Sequence, residues 1–164
     1  MILPLLFPDF ISRKRNVLLS PAKDLLDGYL ANIVDKMYKA NDWSTDVSQI
    51  DDMKRVGMSI ALVEACKYGN ADCLENATKA VNQFEPMNEM KNEPDRDQKL
   101  SAYCYGVQEN KANYDKLWEY YKVEQNANEQ SVLRSGMACA KDKDTIRKYL
   151  EEALKVRSIK FESK

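Results

Sequence analysis

Four cysteines at uneven spacing, in a chain without a single histidine, limit what this sequence can become more than any other feature. Cys66 and Cys73 stand seven apart around Lys67-Tyr68-Gly69-Asn70, and Cys104 and Cys139 follow far down a chain of 164 residues. Metal sites built only from cysteine use C-x2-C knuckles, and none occurs here, so tetrahedral zinc has no ligand spacing to use. The cysteines therefore read as two structural disulfides, Cys66 with Cys73 and Cys104 with Cys139, which places the chain in an oxidising compartment. The opposing reading is four buried free thiols in a reducing one.

The first pair also dictates local structure. Seven residues of unbroken helix advance about 10.5 Å, whereas bridged cysteines need Cα atoms within about 7 Å, so a turn must separate Cys66 from Cys73. Gly69 supplies it. Lying after the apolar run Val56, Ile60 and Val63, it can take the left-handed position at a helix end, and Asn70 or Asp72 can then cap the next helix. The bridge would staple a helix hairpin. On the loop-entropy account the closed loops contribute about 2.5 kcal/mol for Cys66–Cys73 and about 3.8 kcal/mol for Cys104–Cys139.

The length suits one domain with a sizeable core, and 44% apolar with 31% charged residues is an ordinary globular balance. Twenty-five basic against 26 acidic residues leave a net charge of -1. Such a chain lacks the one-sided basic stripe that a phosphate backbone requires, so nucleic acid is excluded as a partner. Arg13-Lys14-Arg15 is the one basic run, and three such residues are more often a solvated turn than a targeting signal, so it decides nothing.

Met1-Ile2-Leu3-Pro4-Leu5-Leu6-Phe7-Pro8 is apolar but lacks a basic leading region and is broken by two prolines. It makes a poor signal peptide. No stretch approaches the roughly 20 apolar residues that span a bilayer. Disulfide spacing without an export signal suggests an excerpt of a larger secreted or membrane-anchored protein. Residues 1–19 are read as an apolar segment and 20–164 as the helical domain. The segment Met1 to Ile11 is expected to pack near Leu25, Tyr29 and Ile33 or against a second chain, because so large an apolar set is costly in water.

Helical periodicity fills the remainder. Ser20-Pro21 is an N-cap with proline at the first helical position, and Leu25, Leu26, Tyr29, Leu30, Ile33, Val34 and Met37 repeat at three and four. Further helices are expected from Ile50 to Tyr68, from Asp72 to Phe84, from Gln98 to Val107, around Tyr114 to Tyr121, from Asn128 to Cys139, and around Ile146 to Leu154. The longest loop runs from Asn88 to Asp97. The fold class is all-α. Short helices with tight polar turns suggest antiparallel pairs stacked as a superhelical solenoid, with a plain bundle as the alternative.

Chemistry is nearly absent. Without histidine the chain loses the commonest general base, the serine and cysteine triads and the H-E-x-x-H zinc motif. Asp51-Asp52 and Glu151-Glu152 are adjacent, so each pair diverges on a helix and cannot converge on one substrate. Tyr103, Tyr105, Tyr120 and Tyr121 could line a peptide groove, but aromatics at helical spacing belong to a core. Gly57 and Gly136, inside helices, are expected to permit close helix packing. Asn76-Ala77-Thr78 is an N-glycosylation sequon on a predicted helix.

Several motifs in order carry a resemblance. Ala65-Cys66 through Gly69-Asn70-Ala71-Asp72-Cys73-Leu74, Tyr103-Cys104-Tyr105-Gly106-Val107, Leu117-Trp118-Glu119-Tyr120-Tyr121, Cys139-Ala140-Lys141-Asp142 and Arg147-Lys148-Tyr149-Leu150 resemble the C-terminal helical domain of aminopeptidase N-type zinc metallopeptidases. The endoplasmic reticulum aminopeptidases share it. The similarity covers about Asp27 to Val156 and includes Asn128-Glu129-Gln130 ahead of Leu133, like that family's glutamate-led helix. Both cysteine pairs fall where exported members are bridged. Gln98-Lys99 and Ala140 depart from the pattern.

The resemblance implies an armadillo- or HEAT-like superhelix without catalytic residues. The zinc ligands and the substrate-amine motif of the family lie in a separate catalytic domain, so neither cofactor nor metal is expected in this chain. Implied partners are that catalytic domain, the peptide substrate enclosed with it, and in some members a second copy in a homodimer. The implied location is extracellular, on a cell-surface ectodomain or in the endoplasmic reticulum lumen. A stand-alone helical protein-binding module is the competing reading.

Overall fold

The computed structural model describes residues 23–44, 50–108 and 110–162. Helices among them are α1 (Lys23–Lys39), α2 (Asp52–Lys67), α3 (Ala71–Gln83), α4 (Lys99–Val107), α5 (Lys111–Val123), α6 (Ala127–Met137) and α7 (Lys143–Glu162). No strand occurs among the described residues, and Glu85 and Lys91 form an isolated bridge. Ser20-Pro21 and the segment Met1 to Ile11 lie outside the described residues.

Caps explain where the helices begin. Asp51, expected inside the second helix, is its N-cap and accepts from the Lys54 backbone N–H at 2.9 Å. Asn126 likewise caps α6 by accepting from the Asn128 and Glu129 N–H groups, so that helix opens one residue earlier than its expected start at Asn128. Met137, not Cys139, is its last residue.

The chain divides into two compact units, Met1–Asn76 with Arg96–Gln98 and Ala77–Asp95 with Lys99–Lys164. In the first, α1 packs on α2. Leu30, Val34 and Tyr38 of α1 are buried, as are Met58, Ala61, Leu62 and Ala65 of α2. Each such leucine or valine contributes about 1.5–3 kcal/mol relative to exposure. The apolar stripe read from sequence is wider than the buried one, because Leu25 is 80% and Tyr29 62% exposed. Val56 is also exposed, and the core face of α2 is formed by Met58, Leu62 and Ala65.

The turn between α2 and α3 closes every backbone group it can reach. Gly69 has φ +81°, its N–H donates to the Cys66 carbonyl at 3.1 Å, and the Asn70 N–H donates to the Ala65 carbonyl at 3.0 Å. These two bonds make a Schellman motif. The Asn70 side chain then caps α3, accepting from the Cys73 N–H at 2.9 Å, while its Nδ2 donates to Asp35 at 2.8 Å. Cys66 and Cys73 are bridged with Cα atoms 5.2 Å apart. Tyr38 donates to Asp72, and Arg55 pairs with Asp97 at 2.5 Å.

In the second unit α4 packs on both α5 and α6, and α5 on α6. A Cβ at Gly136 would stand 2.4 Å from the Tyr103 Cβ, and one at Gly106 would stand 2.6 Å from Val81 Cγ2 and 2.9 Å from the Ala77 carbonyl. Both glycines are therefore contact surfaces. Gly57 is not: nothing lies within 4 Å of a Cβ placed there, which corrects the expectation of close packing at that site. Phe84 stacks on Tyr103 at 6.1 Å and meets Tyr120 edge-on at 5.7 Å, while Trp118 lies 5.4 Å from Tyr121. Cys104 and Cys139 are bridged with Cα atoms 5.0 Å apart, and the described residues contain no free cysteine.

Residues paired along α4 and α6 rise together: Lys99 meets Glu129, Tyr103 meets Gly136, and Cys104 meets Cys139. The two helices thus run in the same direction, and α5 packs on both.

Two stability predictions follow from the glycines. Gly69→Ala forces a Cβ into the left-handed region and should cost about 1–2 kcal/mol, read as a lower urea midpoint at unchanged slope. Gly57→Ala should raise stability by up to about 1 kcal/mol through helix propensity, whereas Gly136→Ala should lower it by about 1–3 kcal/mol through overpacking. Equal effects at positions 57 and 136 would contradict the packing described.

Candidate functional site

The densest polar arrangement in the second unit surrounds Lys99 at the start of α4. Its ammonium donates to Glu129 Oε2 at 2.7 Å and pairs with Glu93, and the Lys99 and Glu129 side chains are only 14% and 12% exposed. Glu129 stands in the first turn of α6, where a carboxylate is favoured by the helix dipole. Its second oxygen accepts from the Tyr103 hydroxyl at 3.1 Å. Nearby, Tyr120 donates to Glu124 at 2.5 Å, and Glu124 accepts from the Asn126 N–H at 2.6 Å.

The electrostatics hold every proton in place. Burial opposes the Lys99 charge, but hydrogen bonds to Glu129 and Glu93 and their attraction outweigh it and raise its pKa. Burial, then the negative charge of Glu129, raises the Tyr103 pKa far above the usual phenol value of 10.0. A general base must stand deprotonated near the working pH, ready to accept a proton, and neither group does. The Tyr120 hydrogen bond and the Asn126 N–H depress the Glu124 pKa, which leaves that carboxylate ionised as well. The cluster is a lock between α4, α6 and the Glu93 loop.

That loop is shaped by unusual backbone. Glu89, Met90 and Asn92 have φ of 50°, 57° and 57°, and Asn92 Nδ2 donates to the Gln83 carbonyl at 3.0 Å. Lys116 of α5 reaches the Val81 and Asn82 carbonyls at 2.9 and 3.0 Å, supplying the cation that the last turn of α3 lacks. Burial lowers the Lys116 pKa. A shallow apolar pocket of about 410 Å³ lies beside it, lined by Phe84, Pro86, Met87 and the stems of Lys116 and Glu119.

The residues singled out in the sequence are distributed, not convergent. Tyr103, Tyr105 and Tyr120 are buried and Tyr121 is half-buried against Trp118, so they form core and not a groove. Asp51 caps α2 and Glu151 is exposed on α7. Asn76 lies in α3, partly exposed, with Nδ2 donating to the Asp72 carbonyl at 2.9 Å. Lys99 was visible in sequence only as half of the departing Gln98-Lys99 pair, and Glu129 only as the head of a helix.

The donor set does not fit zinc: the chain has no histidine, and Cys66, Cys73, Cys104 and Cys139 are all consumed in bridges. Among the described residues no group of three or more histidine, cysteine, aspartate or glutamate side chains could hold a metal ion. No helix among them is long and apolar enough to cross a membrane. The family profile described as ERAP1-like C-terminal domain matches residues 9–163. A search of curated proteins finds no match.

The lock predicts an alkaline limit to stability. A tyrosine whose folded pKa is raised contributes stability that is complete below its unfolded value and fades as pH rises above it. Unfolding free energy should therefore hold up to about pH 10 and then fall, by up to about 1.4 kcal/mol per pH unit for each such group. Urea titrations of Tyr103→Phe should show a shallower alkaline slope than the parent protein, and identical slopes would contradict the assignment.

Proposed function

Because the chain belongs to the family of ERAP1-like C-terminal domains, we propose that it serves as the non-catalytic helical domain, over residues 20–164, of an exported zinc aminopeptidase. The observation that carries this reading is the extent of the match, which runs from residue 9 to residue 163. Zinc belongs to the catalytic domain of the parent enzyme, and this chain supplies no ligand to it.

Its own contribution is shape. A superhelix of antiparallel pairs would set successive first helices parallel, and the common direction of α4 and α6 supports that arrangement. Such a scaffold, held by its apolar core together with ion pairs and bridges, can close over the catalytic domain, wall off the peptide-holding cavity, and offer a face for dimerisation. The two disulfides support an extracellular or lumenal location.

The purified chain should hydrolyse no aminoacyl amide and retain no stoichiometric zinc after dialysis. Added to the catalytic half of a family member lacking its own C-terminal domain, it should bind one to one in calorimetry and raise the trimming of long peptides. One zinc per chain with turnover lost on chelation, or no association with the catalytic half, would overturn the reading.

A further inference from the structure

The sequon Asn76-Ala77-Thr78 is placed where its two reactive groups cannot act together. All three residues lie within α3, and residues two apart on a helix are turned about 200° from one another. Ala77 between them is fully buried, and the Asn76 carboxamide is already engaged with the Asp72 carbonyl at 2.9 Å. The N-x-S/T triplet is read through the carboxamide and the hydroxyl in company. Folded α3 is therefore no substrate for glycan transfer, and modification must precede the helix.

What ends that interval is also visible. Cys73, three residues before Asn76, is bonded to Cys66, and the Asn70 side chain caps the same turn through the Cys73 N–H. Helix formation is limited by its first turn, and the bridge together with this cap fixes that turn. We propose that closure of the Cys66–Cys73 bridge competes with N-glycosylation of Asn76 on the nascent chain, so that the order of the two events decides whether the glycan is added. This rests on the exported reading above.

The transfer itself uses an oligosaccharide carried on a polyprenyl diphosphate. Asn76 Nδ2 attacks the anomeric carbon, a C–N bond forms, the C–O bond to the diphosphate breaks, the lipid diphosphate departs, and the lost amide proton passes to a base. A glycan once attached is compatible with the fold. Asn76 is partly exposed, and its remaining N–H can keep the Asp72 bond.

The full chain, expressed behind a cleavable export signal in secretory cells, provides the test. Occupancy at Asn76 is read on total cell protein by enzymatic deglycosylation in heavy-oxygen water and peptide mass spectrometry, so a variant that fails to fold still reports. Asn76→Gln assigns the signal. Occupancy should be partial in the parent and rise about twofold or more in Cys66→Ala/Cys73→Ala, which removes the nucleating staple. It should stay unchanged in Cys104→Ala/Cys139→Ala, which removes the other bridge.

Equal occupancy with and without the first bridge, whether zero, partial or complete, would overturn the proposal, as would an equal rise when only the second bridge is lost. Peptide mapping of the unreduced secreted parent separates the two levels of inference. Both bridges present with indifferent occupancy sinks this proposal alone. Four alkylatable thiols sink the exported reading and this proposal with it.

Discussion

The contact on which most of the second unit depends is the one that a glycine makes possible: α6 meets α4 at Gly136 with no side chain between it and Tyr103. Two backbones this close fix the register of both helices, and the other ties fall into line with it. Cys139 is brought to Cys104 on one side of the crossing, and Glu129 reaches Tyr103 and Lys99 on the other. A bridge constrains the unfolded chain, a buried ion pair penalises the wrong partner, and the glycine sets the distance at which both can form. None of the three would hold this geometry alone.

The first unit solves the same problem differently. Its bridge spans only the α2–α3 turn, so it closes a shorter loop and constrains less chain entropy than the second bridge does. The gain lies in concentration at one corner. A left-handed glycine, a double backbone cap, an asparagine that caps one helix while bonding another, and a disulfide all act within nine residues, Ala65 to Cys73. Changes at this corner should couple, because these groups share one turn of backbone.

Much of this was legible from sequence because it is local. Gly69 announced the turn through cysteine spacing and its own residue type, Asn70 was named as one of two caps, and the all-helical class followed from periodicity. What was not legible is long-range. Gly57 and Gly136 look alike in sequence, and only the neighbour across the gap separates them. Which face of α2 packs is likewise long-range, because Val56 and Met58 are both apolar and hydrophobicity cannot tell which one meets a partner. The Lys99 lock joins residues thirty apart, and no helical spacing connects Lys99 with Glu129.

The missing histidine, joined to the fully bridged cysteines, leaves this chain without a side chain whose ordinary titration falls between about pH 5 and 8. Its carboxylates with resolved shifts move downward and its buried phenols move upward, which widens that silent interval. Between a neutral and a mildly acidic compartment the chain therefore has no side chain at the midpoint of its ordinary titration. A chain so arranged supplies no imidazole switch, and a larger assembly that used one would have to carry it in another part.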